Sequence, residues 1–96
     1  MIVVIFSAKI KQLNDEYYHL ATELRDRAQE FGCQHMESAF EDGTEITLSY
    51  WDNEEQIKQW KQDPQHLKAQ QLALGKYYDS YTVKVADIKR EYTSSV

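Results

Sequence analysis

The stretch Ile2-Val3-Val4-Ile5-Phe6-Ser7-Ala8-Lys9-Ile10 decides the fold. Its branched residues and Phe6 predict a strand. One alternating set is Ile2, Val4, Phe6, Ala8 and Ile10; the other is Val3, Ile5, Ser7 and Lys9. Both sets begin apolar. A strand that is apolar on both faces needs cover on both sides.

The segments that follow supply one of those covers. Over residues 14–31, Leu13, Tyr17, Leu20, Ala21, Leu24, Ala28 and Phe31 recur at three and four, which predicts an amphipathic helix. Asn14 suits its N-cap, and Asp15 and Glu16 suit its positive end. Gly32 suits a left-handed C′ position. Glu23 and Arg27 stand at the spacing of an i, i+4 ion pair. Residues 33–41 and 44–51 flank Asp42-Gly43, a hairpin signal, and are read as paired strands. In the second, Ile46, Leu48 and Tyr50 share one face, and Glu45, Thr47, Ser49 and Trp51 the other. Asp52-Asn53-Glu54-Glu55 starts a short helix that carries Ile57 and Trp60. Asp63-Pro64 starts another, with Asp as cap and Pro at the first position, predicted to run to about Tyr78. Two neighbouring stripes are available on it: Leu67, Gln71, Leu74, Tyr78 and His66, Gln70, Ala73, Tyr77. Residues 81–88 alternate as a last strand. Residues 92–96 read as a polar tail behind a single domain spanning 1–91.

The order is strand, helix, strand, strand, broken helix, strand. This is the ferredoxin-like βαββαβ unit, an α+β fold with a four-stranded antiparallel sheet and helices on one face. A chain of 96 residues has no third layer for the other face. The economical cover is a second copy, packed sheet to sheet in a two-fold dimer.

Composition excludes several functions. With 11 basic and 16 acidic residues the net charge is −5, and the loose group Lys58, Lys61, Lys68 is no nucleic-acid footprint. Three scattered glycines exclude phosphate-cradling loops. The single Cys33 excludes an internal disulfide and a cysteine zinc site. No apolar run approaches a membrane span, and Ile2–Phe6 lacks the flanks of a signal peptide. The expectation is an acidic, soluble, cytoplasmic domain with no nucleic-acid or membrane partner. Its unusual feature is aromatic content: seven Tyr, three Phe and two Trp.

The order of elements and the segment Ser49-Tyr50-Trp51-Asp52…Ile57…Trp60-Lys61…His66…Ala69-Gln70 resemble the antibiotic biosynthesis monooxygenase family, of the dimeric α+β barrel superfamily. The likeness runs from Met1 to about Glu91. It implies two chains closing into a dimeric α+β barrel. It also implies oxygenation of a quinol-like or polycyclic phenolic substrate without metal or flavin, or, in another branch, haem degradation. The haem branch carries a His ten residues after its Trp and an Asn on the first strand. Here the first position holds Gln70, and the first strand has no Asn. The cofactor-free branch places polar residues six after and four before its Trp. Here these are His66 and Gln56, where the branch carries Tyr and Asn, so Trp60 alone is identical.

On that resemblance His66 is the candidate base, since imidazole titrates in the right range. Trp60 and Tyr77 are candidate walls for an aromatic ring. Gln70, Tyr50 and Gln56 are candidate hydrogen-bonding groups, and neither a cofactor nor a metal is expected. Each residue also has a plainer reading. Trp60 can anchor the helix in the core, His66 can pair with Asp63, and Gln70 can bridge helix and sheet. Tyr50, Tyr77, Tyr78 and Tyr81 can be interface residues. His19 and His35 lack ligand spacing, and Cys33 reads as a small hydrophobe. The competing function is a non-catalytic dimeric module that binds a small apolar molecule. A cavity lined by Trp60, His66, Gln70 and Tyr77 separates the enzyme from the module.

Overall fold

The computed structural model describes residues 1–95; of the predicted tail, position 96 lies outside the described residues. The elements are β1 (Ile2–Ile10), α1 (Asp15–Glu30), β2 (His35–Glu41), β3 (Thr44–Trp51), α2 (Glu54–Gln62), α3 (Pro64–Ala73) and β4 (Tyr78–Asp87). The four strands form one antiparallel sheet in the order β2-β3-β1-β4. This is the ferredoxin-like arrangement.

Local chemistry sets the boundaries. The Asn14 side chain accepts from the Tyr17 backbone N–H, and Asn53 and Asp63 cap α2 and α3 in the same way. These caps satisfy N–H groups that no helical carbonyl can reach. Asp42 and Gly43 both have positive φ, 50° and 75°, the two-residue turn whose twist matches its flanking strands.

Three expectations are corrected. First, α3 ends at Ala73 and not near Tyr78, which instead begins β4. Gly75, at φ 88°, turns the chain there, and the Lys76 and Tyr77 N–H groups close onto the Ala73 carbonyl. The stripe Leu67, Leu74 is consequently exposed, while His66, Ala69, Ala73 and Tyr77 are buried. Second, Arg27 does not pair with Glu23. Its guanidinium reaches Asp63 at 2.7 Å and Glu30 at 2.8 Å. The Asp63 carboxylate, buried and fixed as the α3 cap, draws the guanidinium toward the C-terminal end of α1, where Glu30 also reaches it. Third, β2 begins at His35: the Cys33 N–H donates to the Ala28 carbonyl and closes the end of α1, and the Gln34 N–H makes a first bond to the Tyr50 carbonyl of β3.

The register sorts the sheet into two faces. Val4 is paired to Ser49 and Val85, Phe6 to Thr47 and Val83, and Ala8 to Glu45 and Tyr81. All of these lie beneath the helices. Val3 with Tyr50, Ile5 with Leu48 and Ser7 with Ile46 lie on the open face. The core beneath the helices is divided. One cluster gathers Ile2, Val4, Ala28, Cys33, Trp51, Ile57 and Trp60. The other gathers Ala8, Tyr17, Ala73, Tyr77 and Tyr78. The space between them is the feature that matters for function.

Candidate active site

A cavity of about 160 Å³ lies between sheet and helices and draws its lining from both clusters. Its floor is the inner face of β1 and β3, including Val4, Phe6, Glu45, Thr47 and Ser49. Its roof is α1, through Leu20, Ala21 and Leu24, and α3, through His66, Ala69, Gln70 and Ala73. Trp60 from α2, and Tyr77 from the α3–β4 turn, complete it. Most of this surface is apolar, which suits a ring-shaped ligand.

The polar groups in the wall are of two kinds. Four atoms lack partners, three on Trp60 and His66 at one end and one on Tyr77, which packs against Tyr17. Trp60 Nε1, both ring nitrogens of His66 and the Tyr77 hydroxyl are buried, with no hydrogen-bond partner among the described residues. Native structures leave few such groups, because each forfeits its hydration without return. Trp60 and His66 meet edge to face with ring centroids 4.1 Å apart, and Trp60 leans in turn on the fully buried Trp51, 5.1 Å away. Trp51 is fixed by its indole N–H, which donates to Ser49 Oγ at 2.9 Å.

The backbone beneath His66 is firmly held. Asp63 Oδ2 accepts from the His66 N–H at 3.2 Å, and Asp63 Oδ1 accepts from Arg27 at 2.7 Å. The guanidinium holds the Asp63 carboxyl below its ordinary range. Burial pushes the His66 imidazole below its usual value, against the opposing pull of Asp63. His66 is thus a neutral, unpartnered imidazole in an aromatic wall, a form able to accept a proton.

At the other end the polar groups around Glu45 are engaged. Glu45, 4 % exposed, accepts from the hydroxyls of Tyr17, Tyr78 (2.8 Å) and Thr47 (2.8 Å). Ser38 Oγ stands 2.7 Å from Thr47 Oγ1; since the Thr47 proton goes to Glu45, Ser38 is the donor. Burial, with the neighbouring carboxylate, pushes both phenols well above the usual tyrosine range, so they stay protonated.

Of the six sequence candidates, the structure brings Trp60, His66, Gln70 and Tyr77 together around the cavity. It does not bring Tyr50 or Gln56 there. Tyr50 is on the open face, paired with Val3, its hydroxyl donating to Glu37 at 3.1 Å. Gln56 reaches back to the Asp52 N–H at 3.1 Å as part of the α2 cap. Glu45, Tyr17, Tyr78 and Trp51 are lining or supporting residues that sequence reasoning missed. The signal was Trp51: a strand face that ends in Trp is an inner face, so its polar members Glu45, Thr47 and Ser49 are inside too. Cys33 is buried, donates to the His35 carbonyl at 3.3 Å, and has its thiol pushed up by burial. His19 and His35 are exposed, and no cluster of three or more metal-ligating side chains occurs among the described residues. No helix among them is long and apolar enough to cross a membrane.

Comparison with known proteins agrees with this architecture. Protein YqjZ of Bacillus subtilis (strain 168), itself uncharacterized, is 36% identical over 91 residues, covering 92% of this chain and 79% of that one. Among solved structures, a mutant of SnoaB, a cofactor-independent oxygenase from Streptomyces nogalater, superposes with a TM-score of 0.82. The match covers 97% of each chain at 8% identity. Rv0793 from Mycobacterium tuberculosis gives 0.76 at 11% identity, over 97% of this chain and 100% of that one. A sequence profile matches residues 1–72, three quarters of the chain, and with it the chain belongs to the antibiotic biosynthesis monooxygenase family.

Proposed function

We propose that the chain is a monooxygenase that oxygenates a small phenolic substrate in this cavity without a bound cofactor, with His66 as the base. The observation that carries the reading is the set of four unpartnered polar atoms on Trp60, His66 and Tyr77, buried in the wall of a mostly apolar space. A phenolic ligand at the Trp60–His66 end gives two of these atoms a partner: its hydroxyl donates to a His66 ring nitrogen, and its oxygen accepts from the Trp60 N–H. An engineered cavity of about 150 Å³ holds benzene, so about 160 Å³ suits one ring or two fused rings more than a larger polycycle.

The chemistry follows from neutral His66. The imidazole takes the phenolic proton, and the anion gives an electron to dioxygen. The two radicals join at a ring carbon that bears hydrogen, forming a peroxide. His66 returns its proton to the outer peroxide oxygen; the ring carbon then loses its hydrogen as a proton while the O–O bond breaks, and that proton joins the departing hydroxide. One oxygen atom stays as a new carbonyl and the other leaves as water. For a dihydroxy ring the product is the hydroxyquinone, and the substrate supplies all four electrons. Donors fixed beside the phenolate oxygen lower the barrier to its formation, and the aromatic walls keep bulk water out.

The reading is tested by oxygen uptake with one- and two-ring phenols and dihydroxyarenes. Consumption of one dioxygen per substrate, strongly reduced in His66→Ala, is the expected result. An unchanged rate in that variant sinks the assignment of the base. Binding with no uptake by any of them favours the non-catalytic module instead.

We further propose that the open face of the sheet is covered by a second copy of the chain. Val3, Ile5, Ile46 and Leu48 form an apolar centre there, with Ile46 44 % exposed.

A further inference from the structure

Glu45 is a buried carboxylate that the proposed reaction does not use. Its charge has no ion-pair partner among the described residues. Three hydroxyls hold it instead, two on Oε1 and one on Oε2. A carboxylate offers about four acceptor positions, so one, on Oε2, is open. Glu45 can accept from one more donor.

Its position gives the cavity a direction. Glu45 and Ser49 are four residues apart on β3, about 13 Å along the strand, and both are in the cavity floor. Ser49 holds Trp51, on which Trp60 and His66 are stacked. His66 and Glu45 therefore mark opposite ends. The cations of the lining are at the His66 end: Lys61 adjoins Trp60 and bears on His66, and Arg25 bears on Cys33 in the Trp51–Trp60 cluster. Near His66 the Asp63 carboxylate is paired with Arg27, whereas Glu45 has no cation beside it, so the field along the slot opposes an anion at the Glu45 end.

We propose that Glu45 is a specificity-determining residue. It selects aromatic ligands that carry a hydroxyl or amino donor at the end remote from His66, and it rejects those with a carboxylate there. This rests on the reading of the cavity as the substrate site. Recognition works by attraction and by exclusion together: the donor fills the open acceptor position, whereas a second carboxylate meets a buried like charge with no cation beside it.

The test is binding of three elongated probes, measured by calorimetry under nitrogen so that no turnover occurs: 2,6-dihydroxynaphthalene, 2-naphthol and naphthalene-2,6-dicarboxylate, a naphthoate that presents a carboxylate to Glu45 in either orientation. The expected order of affinity is diol, then naphthol, then naphthoate, with about tenfold or more between first and last. In Glu45→Gln the naphthoate gains and the spread narrows to about threefold. If wild type binds the naphthol as well as the diol, or the naphthoate as well as either, the proposal is overturned. That ranking stands without Glu45→Gln should the variant not fold. An unchanged spread in a folded Glu45→Gln overturns it as well. The ranking does not involve oxygen, so a ranked set with no oxygen uptake overturns the reaction and leaves the selectivity. Failure of all three probes to bind overturns both.

Discussion

Trp60 and His66 meet edge to face at 4.1 Å, and neither ring has a hydrogen bond for its nitrogens. A buried imidazole in such a setting resists protonation, and this gives it a pH signature. Its folded pKa lies below the ordinary 6.5, with burial the largest cause, Asp63 opposing and Lys61 assisting. Above 6.5 the folded and unfolded chains are both neutral at this residue, and it adds nothing to the pH dependence. As pH falls through 6.5 the unfolded chain takes up a proton that the folded chain refuses, and stability drops. Asp63 does not contribute in this window, since Arg27 holds its pKa down. Melting temperature is expected to decline between pH 6.5 and about 5. In His66→Gln that decline is expected to be reduced, and an identical slope in the variant counts against the buried neutral imidazole.

Of the four tyrosines that line the cavity, three make contributions of opposite sign to stability. Tyr17 and Tyr78 each give a hydroxyl proton to Glu45. Tyr17→Phe or Tyr78→Phe leaves a buried carboxylate short of a donor, at about 1–3 kcal/mol. Tyr77 is 1 % exposed and its hydroxyl has no partner. Tyr77→Phe removes an unsatisfied group and is expected to stabilise the chain by up to about 1–2 kcal/mol. Chemical denaturation of the three variants checks the opposite signs. A loss of stability in Tyr77→Phe shows that the hydroxyl is satisfied.

The strands, the caps and the two-faced β1 were legible because each is a local matter: alternation, an Asn or Asp before a helix, Asp42-Gly43. So were Trp60, His66, Gln70 and Tyr77, which lie in one region of the chain and gather on one side of it. Glu45 was not, because alternation separates two faces without saying which is inner. The apolar set Ile46, Leu48, Tyr50 looks like the core side, yet Ile46 is exposed and Glu45 buried. The partners of Glu45 are remote in sequence as well, 28 residues away at Tyr17 and 33 at Tyr78. The end of α3 was missed because the periodicity continues through Leu74 and Tyr78, past the Gly75 turn.

Two glycines allow a graded test of backbone strain. Gly43 has φ 75°, near the left-handed region, and a Cβ there meets nothing within 4 Å. Gly43→Ala is expected to cost about 1 kcal/mol, from conformation alone. Gly32 has φ 108°, which alanine tolerates less well, and its Cβ meets the Gln56 amide at 2.5 Å. Gln56 must then swing away and release the Asp52 N–H. Gly32→Ala is expected to cost more than Gly43→Ala, by about 1 kcal/mol or more. Equal losses on thermal melting count against the contact with Gln56.

The proposed dimer places its interface on the far side of the sheet from the cavity. Ile5 and Leu48 are paired at the centre of the open face, and Val3 and Ile46 extend the apolar strip on either side. Lys9, Lys84, His35 and Glu37 stand around it, so the face has an apolar middle and a charged rim. A stable pair buries about 800 Å² on each partner, which a four-stranded face can supply. Leu48→Lys sets two like charges near the two-fold axis in an apolar contact, and the cost is expected to exceed what the interface contributes. Sedimentation of the wild type is expected to give about 23 kDa, twice the 11.4 kDa chain mass. Leu48→Lys is expected to sediment as the monomer. A monomeric wild type at micromolar concentration ends the proposal. Because the cavity lies on the helical side of the sheet, a folded Leu48→Lys monomer is expected to keep its affinity for phenols within about threefold. A larger loss means that the partner copy shapes the cavity through the sheet.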